Sequence, residues 1–242
     1  WLYRHIDYAL FVGKENRNYF EKHAVRADKL KFSPHAVDND FFAFNEEESN
    51  QKALEWRQRL GIKNDEFVIL FAGKFEEKKA PTLLIRAFLN SSNPKLKLLM
   101  TGNGILESEI KSMAASNKNV IFLNFQNQQN MPILYRMADI FILPSKGPGE
   151  TWGLSVNEAM ACDRPVIVSD KVGCCPDLVE NGKTGYIFPS NSIESLINLM
   201  NNIQSKEVLL NMGINAREKI KSFSYQNVCN VIEAILSNKV MS

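Results

Sequence analysis

Short apolar runs alternate with amphipathic stretches of helical length from about residue 66 to about residue 190. Each run is almost continuously apolar, which is typical of strands that are buried on both faces. The first amphipathic stretch places Leu83, Leu84 and Ala87 on one face of a helix. The pattern predicts strands at 67–72, 97–100, 120–123, 140–143, 165–168 and 186–188. It predicts helices or helical turns at 80–90, 105–115, 131–137, 154–161 and 176–179.

This alternation predicts a parallel sheet, because only a crossover such as a helix can join parallel neighbours. The predicted fold class is α/β, a Rossmann-like doubly wound parallel sheet with helices on both faces. In such folds the ligand binds beyond the carboxyl ends of the strands, where the loops face a crevice. We therefore look for chemistry in the loops that follow the strands.

The two ends of the chain differ from this central region. Residues 192–240 are predicted to form successive helices, at 193–203, 206–221 and 225–238. The amino-terminal region is predicted to contain a short strand at 8–12, a helix to about His23 and a strand at 30–32, which is too little for a sheet of its own.

We divide the chain into three parts on this basis. Residues 1–45 are interpreted as the trailing edge of a missing amino-terminal domain and an interdomain linker, residues 46–222 as the Rossmann-like domain, and residues 223–242 as a terminal helix. Because the chain begins at Trp1 without a Met, we expect a fragment whose upstream part is missing.

Composition narrows the function classes. The 242 residues include 29 basic and 27 acidic side chains, so bulk charge does not indicate a nucleic-acid partner. The four cysteines form no CxxC pair and the three histidines all precede them, so we expect no metal site. No apolar run approaches the roughly 20 residues that cross a bilayer, and no signal-peptide pattern is present, so we expect a cytoplasmic location.

Glycine and lysine follow the predicted strands. The segments 73–81 and 101–104 are Gly-containing turns, and helix amino termini with free N–H groups favour phosphate at this edge of the sheet. Lys74 and Lys79 are five positions apart and could converge on one diphosphate. The alternative is that KFEEKK is a solvated charged turn with internal ion pairs.

The segment GETWGLSVNEAMA carries two carboxylates, Glu150 before a predicted helix and Glu158 one turn inside it. Gly153 allows close approach of a ligand, and the N–H groups near Leu154 and Ser155 would point at it. Since a carboxylate repels phosphate, the two Glu side chains are predicted to accept hydrogen bonds from hydroxyl groups on either side of a diphosphate. This indicates a nucleotide sugar. The alternative is an early-helix acid at Glu158 and a surface residue at Glu150.

Together these motifs resemble the carboxyl-terminal, donor-binding half of retaining glycosyltransferases with the GT-B architecture, the glycosyltransferase group 1 or family 4-like proteins. The resemblance rests on GKFEEKKAPTLLIRAF, TGNG, ADIFILPSKGPGETWGLSVNEAMACDRPVIVSD and NGKTGYIFP. More loosely, DYALFVGKENRNYF resembles the end of the first domain, KLKFSPHAVDNDFF the interdomain connection, and FSYQNVCNVIEAIL the helix that crosses back to the first domain.

The resemblance implies the following roles. Glu150 would bind the donor sugar, Glu158 the ribose, and Lys74 and Lys79 the diphosphate. Backbone groups at Gly153 and Leu154, followed by Ser155, would complete the phosphate site. The region around Asn124, Phe125 and Gln126 would receive the base.

The implied reaction is transfer of a sugar from a UDP- or GDP-type donor to an acceptor hydroxyl, with retention of configuration and without a metal or other cofactor. The acceptor of this protein is unknown. In many resembling proteins, which act in polysaccharide biosynthesis, the acceptor is a glycan or a lipid-linked sugar. The missing amino-terminal domain would bind it and could touch the membrane. We therefore expect this chain to bind donor weakly and to be inactive alone. An epimerase of GT-B fold and a non-catalytic sugar- or protein-binding module stay open.

Two positions depart from the family pattern. Lys74 stands where Arg is common, which keeps the charge but removes a bidentate fork. Cys174 and Cys175 stand where a glycine pair is frequent. The alternatives are a vicinal disulfide and two packed thiols, and we expect packed thiols.

Overall fold

The computed structural model describes residues 2–240, which fold into an α/β structure. The strands are β1 (Ala9–Phe11), β2 (Leu30–Phe32), β3 (Phe67–Ala72), β4 (Leu96–Thr101), β5 (Val120–Leu123), β6 (Ile140–Leu143), β7 (Val166–Ser169) and β8 (Gly185–Phe188). The helices are α1 (Lys14–Lys22), α2 (Asn39–Ala43), α3 (Glu46–Arg59), α4 (Pro81–Leu89), α5 (Glu107–Ala114), α6 (Met131–Met137), α7 (Leu154–Ala161), α8 (Cys175–Leu178), α9 (Ile193–Asn201), α10 (Lys206–Ile220) and α11 (Tyr225–Val240).

The main sheet has six strands in the order β5-β4-β3-β6-β7-β8, and every neighbouring pair is parallel. The order reverses beside β3, which pairs with β4 on one side and with β6 on the other. All six residues of β3 are buried, as its uninterrupted apolar sequence requires. The predicted strands and the predicted Rossmann-like fold class are confirmed, with strand ends shifted by at most one residue.

Two apolar cores lie on opposite faces of this sheet. Alternate residues of β3 enter different cores: Leu70 packs with α3, α6, α7 and α10, whereas Ile69 packs with α4, α5 and α9. This arrangement is the doubly wound one, in which ligands bind at the carboxyl ends of the strands.

Helix α5 begins two residues later than predicted. The chain approaches it through Gly104, where φ is +154°, and the Leu106 N–H donates a hydrogen bond of 3.0 Å to the Phe75 carbonyl. Leu106 is thereby buried in the core, while Ile105 is left 84% exposed. The apolar spacing placed Ile105 in the predicted helix, because the spacing carries no information about this turn.

The amino-terminal segment packs on the main domain through specific bonds. Strands β1 and β2 form a separate two-stranded parallel sheet. The Lys14 N–H donates to both carboxylate oxygens of Asp177, at 3.1 and 3.0 Å. The Asn39 amide donates to the carbonyls of Ile220 and Phe223, at 3.3 and 3.2 Å, which joins the linker to the turn between α10 and α11.

The division into 1–45, 46–222 and 223–242 stays a prediction, and its outermost positions Trp1, Met241 and Ser242 lie outside the described residues. Helix α11 is predicted to contact the upstream domain. It exposes Tyr225, Ile232 and Leu236, which are 56%, 41% and 57% exposed.

Candidate functional site

A cleft of 290 Å³ opens at the carboxyl ends of β3 and β4 and between the loop after β5 and helices α6 and α7. Its lining comprises Ala72, Gly73, Lys74, Thr101, Gly102, Asn103, Phe125, Gln126, Gln128, Met131, Tyr135, Ser155 and Glu158. Four of the predicted site residues, Lys74, Gln126, Ser155 and Glu158, therefore share one cleft. A larger depression of 620 Å³ lies beside Asn93 at the opposite edge of the sheet, and no predicted site residue lines it.

The turn after β4 contains Gly102, where the backbone lies in close contact with the end of β3. A Cβ atom at Gly102 would lie 1.9 Å from the Gly73 carbonyl oxygen, and φ of Gly102 is +145°. The Gly73 N–H donates to the Thr101 carbonyl at 3.1 Å, so the ends of β3 and β4 stay paired up to the cleft. The close approach of these two backbone segments thus requires glycine at position 102, whatever ligand the cleft holds.

Helix α7 begins directly beside the cleft. Gly153 precedes it with φ of +99°, and a Cβ atom there would lie 2.9 Å from Leu143 and 3.0 Å from Val172. Leu154 is its first residue and is 44% exposed, and Ser155 lines the cleft. The first turn of α7 therefore presents its N–H groups at the edge predicted for the phosphates.

Glu158 is held from within the core. The Tyr135 hydroxyl donates a hydrogen bond of 2.7 Å to Glu158 Oε2, and the Tyr135 side chain is fully buried. Burial raises the pKa of Glu158, and hydrogen bonds from Tyr135 and Gln128 oppose this increase because they stabilise the carboxylate. Sequence reasoning found Glu158 but missed Tyr135, whose place in an apolar helix resembles that of any core aromatic.

Lys79 and Glu150 form an ion pair between the loops that follow β3 and β6. Their side chains are 17% and 9% exposed, so the pair is shielded from water. The Ser145 hydroxyl donates a hydrogen bond of 2.9 Å to the same oxygen, Glu150 Oε2. The structure thus brings together a predicted phosphate ligand and the predicted sugar ligand.

Lys74 and Lys79 have different surroundings, although both follow β3. The Lys74 side chain is 71% exposed, lines the cleft and lies 3.8 Å from Glu76. Lys79 is the last residue of a short 3-10 helix, Glu77–Lys79, and points at the loop that carries Glu150. In this structure the two ammonium groups therefore do not share a partner.

The loop that carries Glu150 is fixed by residues on both sides of it. The Glu150 and Trp152 carbonyls accept hydrogen bonds from the N–H groups of Gly173 and Cys174, at 3.0 and 2.9 Å. A Cβ atom at Gly173 would lie 2.0 Å from the Thr151 carbonyl oxygen. Sequence reasoning missed this support, which joins the loops after β6 and β7.

Cys174 and Cys175 are separate buried thiols, which confirms the packed-thiol interpretation. Burial raises the pKa of Cys174 well above its usual range and that of Cys175 to about 11. Both thiols are therefore protonated near neutral pH and are poor nucleophiles.

The predicted base region borders the cleft. Phe125 is 70% exposed and lies at its rim. The Gln126 side chain donates to the Asn124 carbonyl at 2.9 Å and accepts from the Asn130 amide at 3.1 Å. Gln126 therefore braces the loop as well as lining the cleft.

Among residues 2–240, no group of three or more His, Cys, Asp or Glu side chains is arranged to hold a metal ion. None of the helices there combines the length and the hydropathy that a bilayer crossing requires.

The parallel sheet, the strand order that reverses at β3, and the cleft at the carboxyl ends of its strands define a Rossmann-like α/β protein. The chain belongs to the glycosyl transferases group 1 family, whose model matches residues 52–225. The family and the fold class inferred from the sequence are therefore confirmed.

Curated relatives include the alpha-monoglucosyldiacylglycerol synthase of Acholeplasma laidlawii, which is 30% identical over 201 residues, or 79% of this chain and 49% of that protein. The D-inositol 3-phosphate glycosyltransferase of Mycobacteroides abscessus is 33% identical over 146 residues, or 57% of this chain and 32% of that protein. The chain thus spans about half the length, or less, of these relatives.

Solved structures show the same fold. Anabaena HepE in complex with UDP matches 97% of this chain and 65% of its own, with a TM-score of 0.83 and 21% identity. The carboxyl-terminal domain of a group 1 glycosyl transferase from Francisella tularensis matches 77% of this chain and 97% of its own, with a TM-score of 0.63 and 21% identity. These neighbours are GT-B glycosyltransferases or a domain of one.

Proposed function

We propose that this chain is the donor-binding part of a retaining glycosyltransferase, which transfers a sugar from a nucleotide-diphosphate sugar to an acceptor hydroxyl. The observation that carries the proposal is the grouping of Glu158, Ser155 and Lys74 in one cleft, together with the Lys79–Glu150 pair between the loops after β3 and β6. Two carboxylates and two ammonium groups thus follow strands of the same parallel sheet. The family match, a relative named as a glycosyltransferase and a neighbour solved with UDP support the proposal.

In this proposal the nucleotide occupies the cleft. Glu158 accepts hydrogen bonds from the ribose hydroxyls, and its burial strengthens them because water competes less there. The N–H groups at the start of α7, next to Gly153, Leu154 and Ser155, bind the diphosphate. The base lies along Phe125, on the loop braced by Gln126.

The sugar is placed toward Glu150. Without a donor, Lys79 neutralises Glu150. A bound donor offers Lys79 its phosphate oxygens and offers Glu150 its sugar hydroxyls, so both side chains exchange one partner for another. Ser145 keeps its bond to Glu150 Oε2 and holds the carboxylate in place during this exchange.

The chemistry assigned to these groups is stabilisation of a leaving group. As the bond from the anomeric carbon to the diphosphate breaks, negative charge grows on the phosphate oxygens. Lys74, Lys79 and the start of α7 stabilise that charge. The acceptor hydroxyl attacks from the face that the diphosphate leaves, which retains configuration, and the departing phosphate takes its proton.

The acceptor site is assigned to a domain outside this chain. Helix α11 carries the exposed residues Tyr225, Ile232 and Leu236, an apolar surface for that domain to cover. Donor binding is accordingly assigned to this chain and transfer to the longer protein.

Titration calorimetry with UDP, GDP and ADP, together with their effect on thermal unfolding, tests the proposal. Glu158→Ala should weaken nucleotide binding about tenfold to hundredfold, the loss expected for hydrogen bonds to a carboxylate. The matched control is Glu218→Ala, since that carboxylate is 72% exposed on α10 and pairs with Lys221.

Three outcomes would contradict the proposal. No response to any nucleotide at millimolar concentration would favour a binding module that kept the fold. Conversion of a nucleotide sugar to its epimer without an acceptor, detected by proton NMR, would favour an epimerase. Measurable transfer by this chain alone would overturn the assignment of the acceptor site to another domain.

A further inference from the structure

Tyr135 is a buried residue with a polar group aimed at the cleft. Its ring packs edge-on against Phe42 and Phe141, with centroid distances of 6.1 and 5.5 Å. The side chain is fully buried and borders the cleft, and its hydroxyl donates a hydrogen bond of 2.7 Å to Glu158 Oε2. The core therefore fixes the position of the hydroxyl, and the hydroxyl fixes one oxygen of Glu158.

This contact joins two helices that are distant in sequence. Tyr135 lies in α6 and Glu158 in α7, 23 positions apart. A glutamate side chain has three rotatable bonds, and a carboxylate that must be immobilised by its ligand lowers affinity by the entropy it loses. A fixed donor on one carboxylate oxygen removes much of that cost before the ligand arrives.

We propose that Tyr135 is a positioning residue that orients the Glu158 carboxylate toward the ribose hydroxyls, so that the cleft selects ribonucleotides over deoxyribonucleotides. This inference rests on the proposed function, because it takes the ligand of Glu158 to be a ribose. Tyr135 acts through Glu158 alone and contacts no reacting atom.

The hydrogen bond also controls the protonation of Glu158. It lowers the pKa of that carboxyl group, which burial has raised, and so favours the ionised form, whose oxygens accept hydrogen bonds from hydroxyl donors. Two other titratable groups face Glu158. Burial raises the pKa of Tyr135 well above 10 and that of Cys162 to about 12, so neither changes charge between pH 5 and pH 8. Lys74 is the cationic side chain lining the same cleft.

Tyr135→Phe isolates the role of the hydroxyl, because the ring and its packing remain. The probes are the nucleoside diphosphate that binds best in titration and its 2′,3′-dideoxy counterpart. Tyr186→Phe is the matched control, since Tyr186 lies on β8 and packs against the core on the other face of the sheet. Thermal unfolding confirms that each variant is folded, and Glu158→Gln measures the binding that remains without the carboxylate.

Tyr135→Phe should weaken binding of the ribonucleotide about fivefold to tenfold, the equivalent of about one hydrogen bond, and leave binding of the dideoxynucleotide within about twofold. A merely structural role would weaken both probes equally, and that result would overturn the assignment. In a protein that already carries Glu158→Gln, the Tyr135→Phe change should have no further effect on binding. Tyr135 is proposed to act only by orienting the Glu158 carboxylate, which that variant lacks.

The pH profile gives a second readout, which also holds if Tyr135→Phe lowers stability. Ribonucleotide affinity falls on acidification as Glu158 takes up a proton. Tyr135→Phe removes a cause that lowers the pKa of Glu158, so this fall should begin at a higher pH than in the parent protein. An unchanged midpoint would contradict the proposal.

The two proposals fail differently. If the parent protein discriminates ribose from dideoxyribose and Tyr135→Phe does so equally well, only the role of Tyr135 is wrong. If the parent protein binds no nucleotide, or binds both probes equally, the ribose role of Glu158 is wrong and the role of Tyr135 is overturned with it.

Discussion

The Trp152 indole N–H donates a hydrogen bond of 2.9 Å to Asn157 Oδ1, and the Asn157 amide donates another of 2.9 Å to the His35 carbonyl. Trp152 is 4% exposed and Asn157 is fully buried. The indole ring also packs against His35 and Phe223, with centroid distances of 5.3 and 5.9 Å. One asparagine thus connects the loop of Glu150 to the segment before α2, and Trp152 extends this contact to the turn between α10 and α11.

Asn157→Ala should destabilise the protein by about 2–4 kcal/mol, because it leaves the buried Trp152 N–H and the His35 carbonyl without partners. The unfolding midpoint should fall by about 5–15 °C. Asn202→Ala is the matched control: it removes one bond, of 2.8 Å, from an exposed amide and should cost less than about 0.5 kcal/mol. Equal midpoints for the two variants would show that the buried asparagine does not anchor the loop.

Glu150→Ala should separate nucleotide binding from sugar binding. It releases Lys79 from its internal partner, so affinity for the nucleoside diphosphate should stay the same or increase. The gain in affinity from an attached sugar should be lost, and calorimetry with UDP and UDP-glucose measures both quantities. Stability should fall by about 1–3 kcal/mol, less than for a fully buried pair, because Lys79 keeps some contact with water.

Lys79→Met is the reciprocal variant. It should weaken binding of the nucleoside diphosphate about tenfold or more, because the positive charge expected to bind phosphate is lost. Equal effects of Glu150→Ala and Lys79→Met on the affinity for the nucleoside diphosphate would contradict the separate roles proposed for the two residues.

Gly102→Ala should destabilise the protein by about 2–4 kcal/mol and weaken nucleotide binding, because the added methyl group pushes the ends of β3 and β4 apart at the cleft. Gly61→Ala is a matched control, since φ there is also positive, +69°, and no other atom lies within 4 Å of the added carbon. It should cost only about 1 kcal/mol of backbone strain. Chemical denaturation of both variants makes the comparison, and a similar loss in both would indicate strain at φ rather than collision.

Thiol labelling should distinguish Cys229 from the other three cysteines. Cys229 is exposed on α11, whereas Cys162, Cys174 and Cys175 are buried, and burial raises the pKa of Cys162 to about 12. Iodoacetamide at pH 8 should therefore modify the folded chain at Cys229 and all four cysteines in guanidinium chloride. Peptide mass spectrometry identifies the sites. Rapid labelling of Cys174 in the folded chain would be inconsistent with its burial beside the loop of Glu150.

The sequence was sufficient for the sheet because an uninterrupted apolar run such as Phe67–Ala72 has one stable environment, a strand covered on both faces. The start of α5 was not predictable, because Gly104 and the bond from Leu106 to Phe75 depend on a neighbouring loop. Apolar periodicity depends only on the spacing of residues that are close in sequence.

The two carboxylates were found from their spacing and from a resemblance to known proteins, but their internal partners were not. Ser145 and Tyr135 are ordinary strand-end and core residues in the sequence. Ser145 donates to Glu150 within the loop after β6, and Tyr135 donates to Glu158 only after α6 and α7 pack. A tertiary contact across 23 positions leaves no signal in a single sequence. The binding roles of the two acids and two lysines stay predictions.

The ion pair between Lys79 and Glu150 has a consequence for unwanted ligands. Free inorganic phosphate that recruited Lys79 would leave Glu150, which is 9% exposed, without its cation and with no new hydrogen bond. A sugar without a phosphate would find the carboxylate already occupied. Under the proposed function, the pair would therefore yield to a molecule that carries both an anion and hydroxyl groups, and free phosphate and free sugars would compete poorly for the site.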